Sequence, residues 1–173
     1  TGEGGALFTN SEELYNILFY QHNFGHDGPE AFQGLGINAK MSELQAAMGL
    51  AVLPYMNKIT SWRKEIVKTY NLVFKDSGLQ LLKIRKDSQW NYSYYPVIFK
   101  NESQLLKIKE ALNAAHIYPR RYFYPTLHSL PYVKSANCPV ADSIAIAVLC
   151  LPLYYGLSNK EVNQITSIIL EHL

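Results

Sequence analysis

Cysteine is scarce in this sequence: Cys138 and Cys150 are the two present, at a separation that fits neither a disulfide framework nor a zinc-ligand spacing. That excludes a disulfide-stapled secreted scaffold and leads us to expect a reduced, intracellular protein. Long apolar runs are also lacking, because charge or proline breaks each one, so no segment is long enough to cross a bilayer. The first residues have neither the basic region nor the apolar stretch of a secretory signal. Together these absences set the expectation of a cytoplasmic chain with no membrane partner. There is little excess charge: the net value is +2, too small to argue for a polyanion. G-x-x-x-x-G-K-S/T and G-x-G-x-x-G are missing, as are internal repeats and low-complexity segments. The first residue is Thr, not Met, which points to a processed chain or a piece of a longer one.

What is present suffices for a core. With 173 residues, 48% of them hydrophobic and 17% charged, the chain can fold as one domain, or one domain plus a connecting segment. Ala6–Thr9 reads as a short strand. Asn10 to Glu13 follows with a capping-box pattern, opening a helix that carries Leu14, Ile17 and Leu18 to about Gln21. Glycine and proline then mark residues 22–40 as loop. Ser42 with Gln45 opens the strongest helix. Its stripe runs from Leu44 through Met48, Tyr55, Trp62, Ile66 and Tyr70 to Val73, across Pro54. A proline there removes a hydrogen bond, so two nearly collinear helices or one kinked helix is expected, facing one core throughout and ended by Gly78. Residues 79–84, 92–99 and 117–124 are strand-like, with Pro96 placing its strand at an edge or bulge. Helices are expected around Leu105–Leu112, over 139–150, and after the capping box Ser158–Glu161. The fold class is therefore α/β with an α+β C-terminal part. The divisions are 1–40 (strand, helix, loop), 41–77 (connecting helices) and 78–173 (small α+β domain).

Four clusters could carry chemistry. Gly2, Gly4 and Gly5 could cradle a phosphate, but Glu3 between them would repel one, and a tight turn into a strand explains them better. His22 and His26 have a metal-like spacing only on a helix, and Gly25, Gly28 and Pro29 argue for a loop with two ordinary histidines. Residues 117–125, I-Y-P-R-R-Y-F-Y-P, interleave two arginines with aromatics. Guanidinium forks match phosphates and aromatic faces stack on rings, so this is either a phosphate-bearing ligand's face or an edge strand with solvated arginines. On a strand, Arg121 and Phe123 would point one way and Arg120, Tyr122 and Tyr124 the other. The run Lys83–Lys86 reads as a solvated turn.

Three stretches taken together carry a family resemblance: G-E-G-G-A at 2–6, G-I-N-A-K-M-S-E-L-Q-A-A at 36–47, and Y-P-R-R-Y-F-Y-P at 118–125. In order and spacing the chain resembles the C-terminal half of the pyridoxal-phosphate-dependent nucleotide-sugar aminotransferases of the StrS/DegT-like family. These have an aspartate-aminotransferase-like, fold type I architecture. The last stretch is most similar to the branch acting on thymidine-diphosphate-linked keto-6-deoxy sugars. The resemblance implies pyridoxal 5'-phosphate as cofactor and a Schiff-base lysine, in S-F-H-x-x-K, just upstream of Thr1. The chain by itself is then expected to be inactive. It further implies that Asn38, helped by Lys40, reaches the cofactor phosphate of a partner subunit. Arg120, Arg121, Tyr122 and His128 would lie against the substrate, and Glu3 would fix its turn by accepting backbone hydrogen bonds.

The expected function is transfer of an amino group, from an amino acid such as glutamate, to a nucleotide-linked keto-6-deoxy sugar for surface polysaccharide. The expected protein is a homodimer with no nucleic-acid partner. The alternative is a non-catalytic module binding a nucleotide or single-stranded nucleic acid through the arginine–tyrosine segment.

Overall fold

A computed structural model describes residues 2–134 and 137–173. The chain divides into two compact units, Thr1–Met56 and Asn57–Leu173, with the division inside the stretch expected to connect two domains.

In the first unit, α1 spans Glu12–Gln21 and α2 spans Glu43–Val52. Ser11 caps α1 by accepting from the Leu14 amide. The third helical position is then Leu14 and not an acid, so the reciprocal bond of the expected capping box does not form. Ser42 and Gln45 do form the full box at α2. The expected strand at Ala6–Thr9 is absent: those residues pair with no other segment, and Phe8 is 93% exposed. A strand exists only with a neighbour to bond, and the described residues supply none here. Between α1 and α2 the loop doubles back on itself. Phe24 donates to the Ile37 carbonyl (3.0 Å), Ile37 to that of Gln21 (2.9 Å) and Ala39 to that of His22 (2.9 Å). Glycine at 25 and 36 permits this closeness, because a Cβ on Gly36 would lie 2.2 Å from the Gly25 nitrogen.

A 3-10 turn at Leu53–Tyr55 carries Pro54 early, where its missing N–H costs nothing, and α3 (Met56–Phe74) follows. The apolar stripe does not face one core throughout. No residue of α2 is buried, whereas Ile66, Val67, Tyr70 and Phe74 of α3 are. The helix ends at Phe74, whose carbonyl accepts from the Ser77 hydroxyl (2.7 Å), and Gly78 turns the chain with φ +80°.

The second unit is built on an antiparallel sheet in the order β1-β2-β3, comprising Gln80–Leu81, Tyr95–Ile98 and Val148–Leu151. Helices α4 (Glu102–Ala114) and α6 (Asn159–Glu171) join α3 in covering it, and α5 (Pro139–Ala145) precedes β3. Three expectations change here. The helix expected over 139–150 stops at Ala145, and 148–151 is a strand buried at every position. Buried strands read as unbroken apolar runs, which periodicity cannot tell from a buried helix. Pro96 sits in the central strand and not at an edge. Phe99 donates to Ala147 on the β3 side, so Pro96, out of phase with it, turns its missing N–H toward β1, which ends at Leu81 before reaching it. Residues 117–124 are not a strand either: Arg120 alone exchanges two backbone hydrogen bonds with Cys150, at 2.8 and 3.1 Å.

Two core phenols find acceptors. The Tyr70 hydroxyl donates to the Pro152 carbonyl (3.0 Å) and that of Tyr95 to Asn71 (2.8 Å); burial pushes both phenols up, so each stays a neutral donor. Trp62 ties α3 to the loop before α6 through the Leu157 carbonyl (3.1 Å). At α6, the Ser158 hydroxyl and amide hold the Glu161 carboxyl below its ordinary range. The anion is the form that accepts those bonds. The cap is therefore intact above the ordinary carboxyl pKa and is lost as pH falls through the lowered one. Acidification should lower the amide protection factors in the first turn of α6, taken against the intrinsic exchange rate at each pH, and Glu161→Gln should remove that pH dependence while keeping an acceptor.

Candidate functional site

In the first unit, the doubled loop brings Asn38 and Lys40 together. The Lys40 ammonium donates to Asn38 Oδ1 at 2.8 Å and to Asn23 Oδ1 at 2.9 Å, and sits 4.4 Å from the centre of the Phe24 ring. Phe24 adopts the left-handed conformation, φ 58°. Among the described residues no carboxylate pairs with Lys40, so its charge is oriented but not neutralised. Asn38 gives its oxygen to lysine, which leaves its amide N–H groups as donors. A cation with a spare N–H beside a free amide donor is the chemistry a phosphate monoester needs. Asn23 and Phe24 were not singled out in the sequence, where H-N-F-G reads as loop punctuation.

In the second unit, Arg120 lies over the Tyr122 ring, 5.2 Å from its centre, and donates to the Tyr122 hydroxyl. Tyr122 is braced edge-on by Tyr94 at 5.6 Å. Arg120 is exposed and Tyr122 half-buried. Arg121 is committed inward: it pairs with Glu102, donates to the Ile146 carbonyl (3.1 Å), and stacks over Tyr124 at 3.5 Å. Tyr124 therefore sides with Arg121, not with Arg120 as a strand would require, because the chain turns at Tyr122–Pro125. His128 lies in a 3-10 turn with its Nε2 3.0 Å from Asp142 on α5, and Thr126 donates to the same carboxylate (2.9 Å). Glu102 and Asp142 had no signal in the sequence, since their partners lie 19 and 14 residues away.

Arg120 also lines an open cleft of about 620 Å³, with Tyr94, Tyr118, Tyr154 and Glu161 around it. Cys150 lies at this cleft, where burial pushes its thiol up and disfavours the nucleophilic thiolate. Glu3 is exposed and its carboxylate makes no hydrogen bond among the described residues, so the structural part expected for it is not seen. His22 and His26 join no metal-ligating cluster among those residues.

The chain belongs to the DegT/DnrJ/EryC1/StrS aminotransferase family, whose model matches residues 1–170. It is 32% identical, over 97% of its length and 48% of the relative's, to dTDP-4-amino-4,6-dideoxy-D-glucose transaminase of Escherichia coli. It is 29% identical to UDP-2-acetamido-2-deoxy-3-oxo-D-glucuronate aminotransferase of Pseudomonas aeruginosa, over 95% of the chain and 45% of that protein. Among solved structures, DesI in the presence of its TDP-sugar product superposes with a TM-score of 0.81 at 27% identity, covering 94% of this chain and 43% of DesI. The chain thus spans about half the length of the curated relatives it matches. The α/β fold class stands, and the alternative of a nucleic-acid-binding module finds no support in these matches.

Proposed function

We propose that this chain is the C-terminal portion of a cytoplasmic, homodimeric, pyridoxal-phosphate-dependent aminotransferase acting on a nucleotide-linked keto-6-deoxy sugar, with glutamate as donor, in surface-polysaccharide synthesis. The observation that carries the reading is the Lys40–Asn38 pair, a phosphate-ready cation and amide, within a chain matched to the family over nearly its whole length. Pyridoxal phosphate, when bound, supplies the electron sink for moving an amino group. The residues here do the holding. Lys40 and Asn38 grip the phosphate, and Arg120 with Tyr122 meets the sugar's diphosphate as a fork and a stacking face. His128, oriented by Asp142, is offered to the sugar. Arg121, tied to Glu102, positions the segment from behind. In this reading the lysine that carries the cofactor lies upstream of Thr1, and the chain alone is inactive.

Reading the coding frame upstream of Thr1 tests this first. S-F-H-x-x-K a few residues before Gly2 is expected, and a frame opening at Thr1 would overturn the reading. In the protein expressed from the full frame, Arg120→Ala should raise the KM for the nucleotide sugar about tenfold with little change in stability. Arg121→Ala should instead destabilise the fold by about 1 kcal/mol, because it removes the half-buried guanidinium's bond to the Ile146 carbonyl and its packing on Tyr124. Equal effects of the two would contradict the assignment. Exposed apolar side chains on α2 and just after it, among them Leu44 (83%) and Leu50 (71%), fit a face that the rest of the protein covers, which the 173-residue chain leaves bare. The chain should self-associate in sedimentation; a monomer at high concentration that binds no apolar dye would speak against such a face.

A further inference from the structure

We infer that Asn23 is a positioning residue that holds the Lys40 ammonium for an anionic phosphate without neutralising it. The inference rests on the cofactor-phosphate role proposed above for Lys40.

An ammonium has three N–H groups. Two are used, by Asn23 Oδ1 at 2.9 Å and Asn38 Oδ1 at 2.8 Å, and the third is left for a ligand. Both acceptors are neutral amides, and the third neighbour is the Phe24 ring face, also uncharged. A lysine free to sample its rotamers would have to be frozen when a phosphate arrives, and holding it beforehand removes that cost. A carboxylate in the place of Asn23 would hold it equally well but would form an ion pair, leaving less charge for the ligand.

Asn23 is itself fixed by backbone bonds. Its amide donates to the Tyr20 carbonyl at the end of α1 (3.1 Å) and its carbonyl accepts from His26 (3.0 Å). It lies directly opposite Asn38 across the doubled loop. The two amides thus approach Lys40 from facing segments, and no shift of one segment alone preserves both bonds.

The test uses the protein expressed from its full reading frame, with pyridoxal 5'-phosphate and phosphate-free pyridoxal as probes, read as equilibrium dissociation constants. The ratio of the two isolates the phosphate's share. Asn23→Asp is nearly isosteric and should lower that preference about tenfold, leaving pyridoxal affinity and the thermal midpoint unchanged. Asn23→Leu and Lys40→Met should each lower it, and the two together should lower it no further than Lys40→Met alone, since Asn23 acts through Lys40. If Lys40→Met lowers the ratio but Asn23→Asp and Asn23→Leu do not, the inference fails and the cofactor role of Lys40 stands. If Lys40→Met leaves the ratio unchanged, that role fails and takes the inference with it. A loss in Asn23→Leu that persists undiminished on the Lys40→Met background would show Asn23 acting by itself, and would also overturn the proposal.

Discussion

Gly36→Ala should cost the protein about a hundredfold in affinity for pyridoxal 5'-phosphate. The added Cβ would fall 2.2 Å from the Gly25 nitrogen, 2.5 Å from the Phe24 carbonyl carbon and 2.7 Å from the Gln21 oxygen. All three are backbone atoms, so no side chain can rotate away. Overpacked sites cost about 1–3 kcal/mol, and this one has no soft neighbour, which places it at the upper end. About 3 kcal/mol corresponds to roughly a hundredfold in a binding constant. The strain acts where the site is made: the bonds Phe24 to Ile37, Ile37 to Gln21 and Ala39 to His22 flank the glycine and hold Asn38 and Lys40 in register. Amide exchange at Phe24, Ile37 and Ala39 should speed up, while the second unit, with its own core, unfolds at an unchanged denaturant concentration. Full protection at those amides in the variant would mean the loop absorbs a side chain, and the site would then not depend on this close approach.

Such a dependence could not be read from G-L-G-I-N alone. The sequence marked the loop by its glycines and prolines and marked Asn38 and Lys40 by a family pattern. The identity of the lysine's second acceptor was hidden, because Asn23 lies 17 residues from Lys40 and meets it only once the loop doubles back. Capping residues were legible where the signal is local: Ser42 with Gln45 and Ser158 with Glu161 form the boxes their spacing announces. β3 was not, because a four-residue strand buried on both faces has no alternation to detect. The arginine–tyrosine segment misled in another way. Its β-branched and aromatic composition is strand-like, yet one pair of backbone bonds to Cys150 is all the sheet provides, and the chain then turns. Arg120 and Tyr122 still end up together, through cation and ring and not through strand alternation.

The apolar stripe from Leu44 to Val73 looks uniform in sequence, and two substitutions on that helical stretch should separate its halves. Phe74→Ala should destabilise the second unit by about 3–5 kcal/mol, measured from the midpoint of urea unfolding. Phe74 is fully buried and stacks nearly parallel on Tyr70 at 6.1 Å; Tyr70 in turn stacks on Tyr95 of the central strand at 4.7 Å. Removing the ring leaves a cavity bounded by side chains that the sheet and α4 hold in place, so collapse can recover little of the loss. Leu44→Ala, in the same chain, should change stability by no more than about 0.5 kcal/mol, since the leucine is 83% exposed and alanine is the better helix former. The comparison becomes informative when repeated on the protein expressed from the full frame. There the proposed function requires the α2 face to be covered, and Leu44→Ala should then cost several times more than in the 173-residue chain. An equally small cost in both would mean that α2 stays exposed in the complete protein, and the homodimer would need another surface.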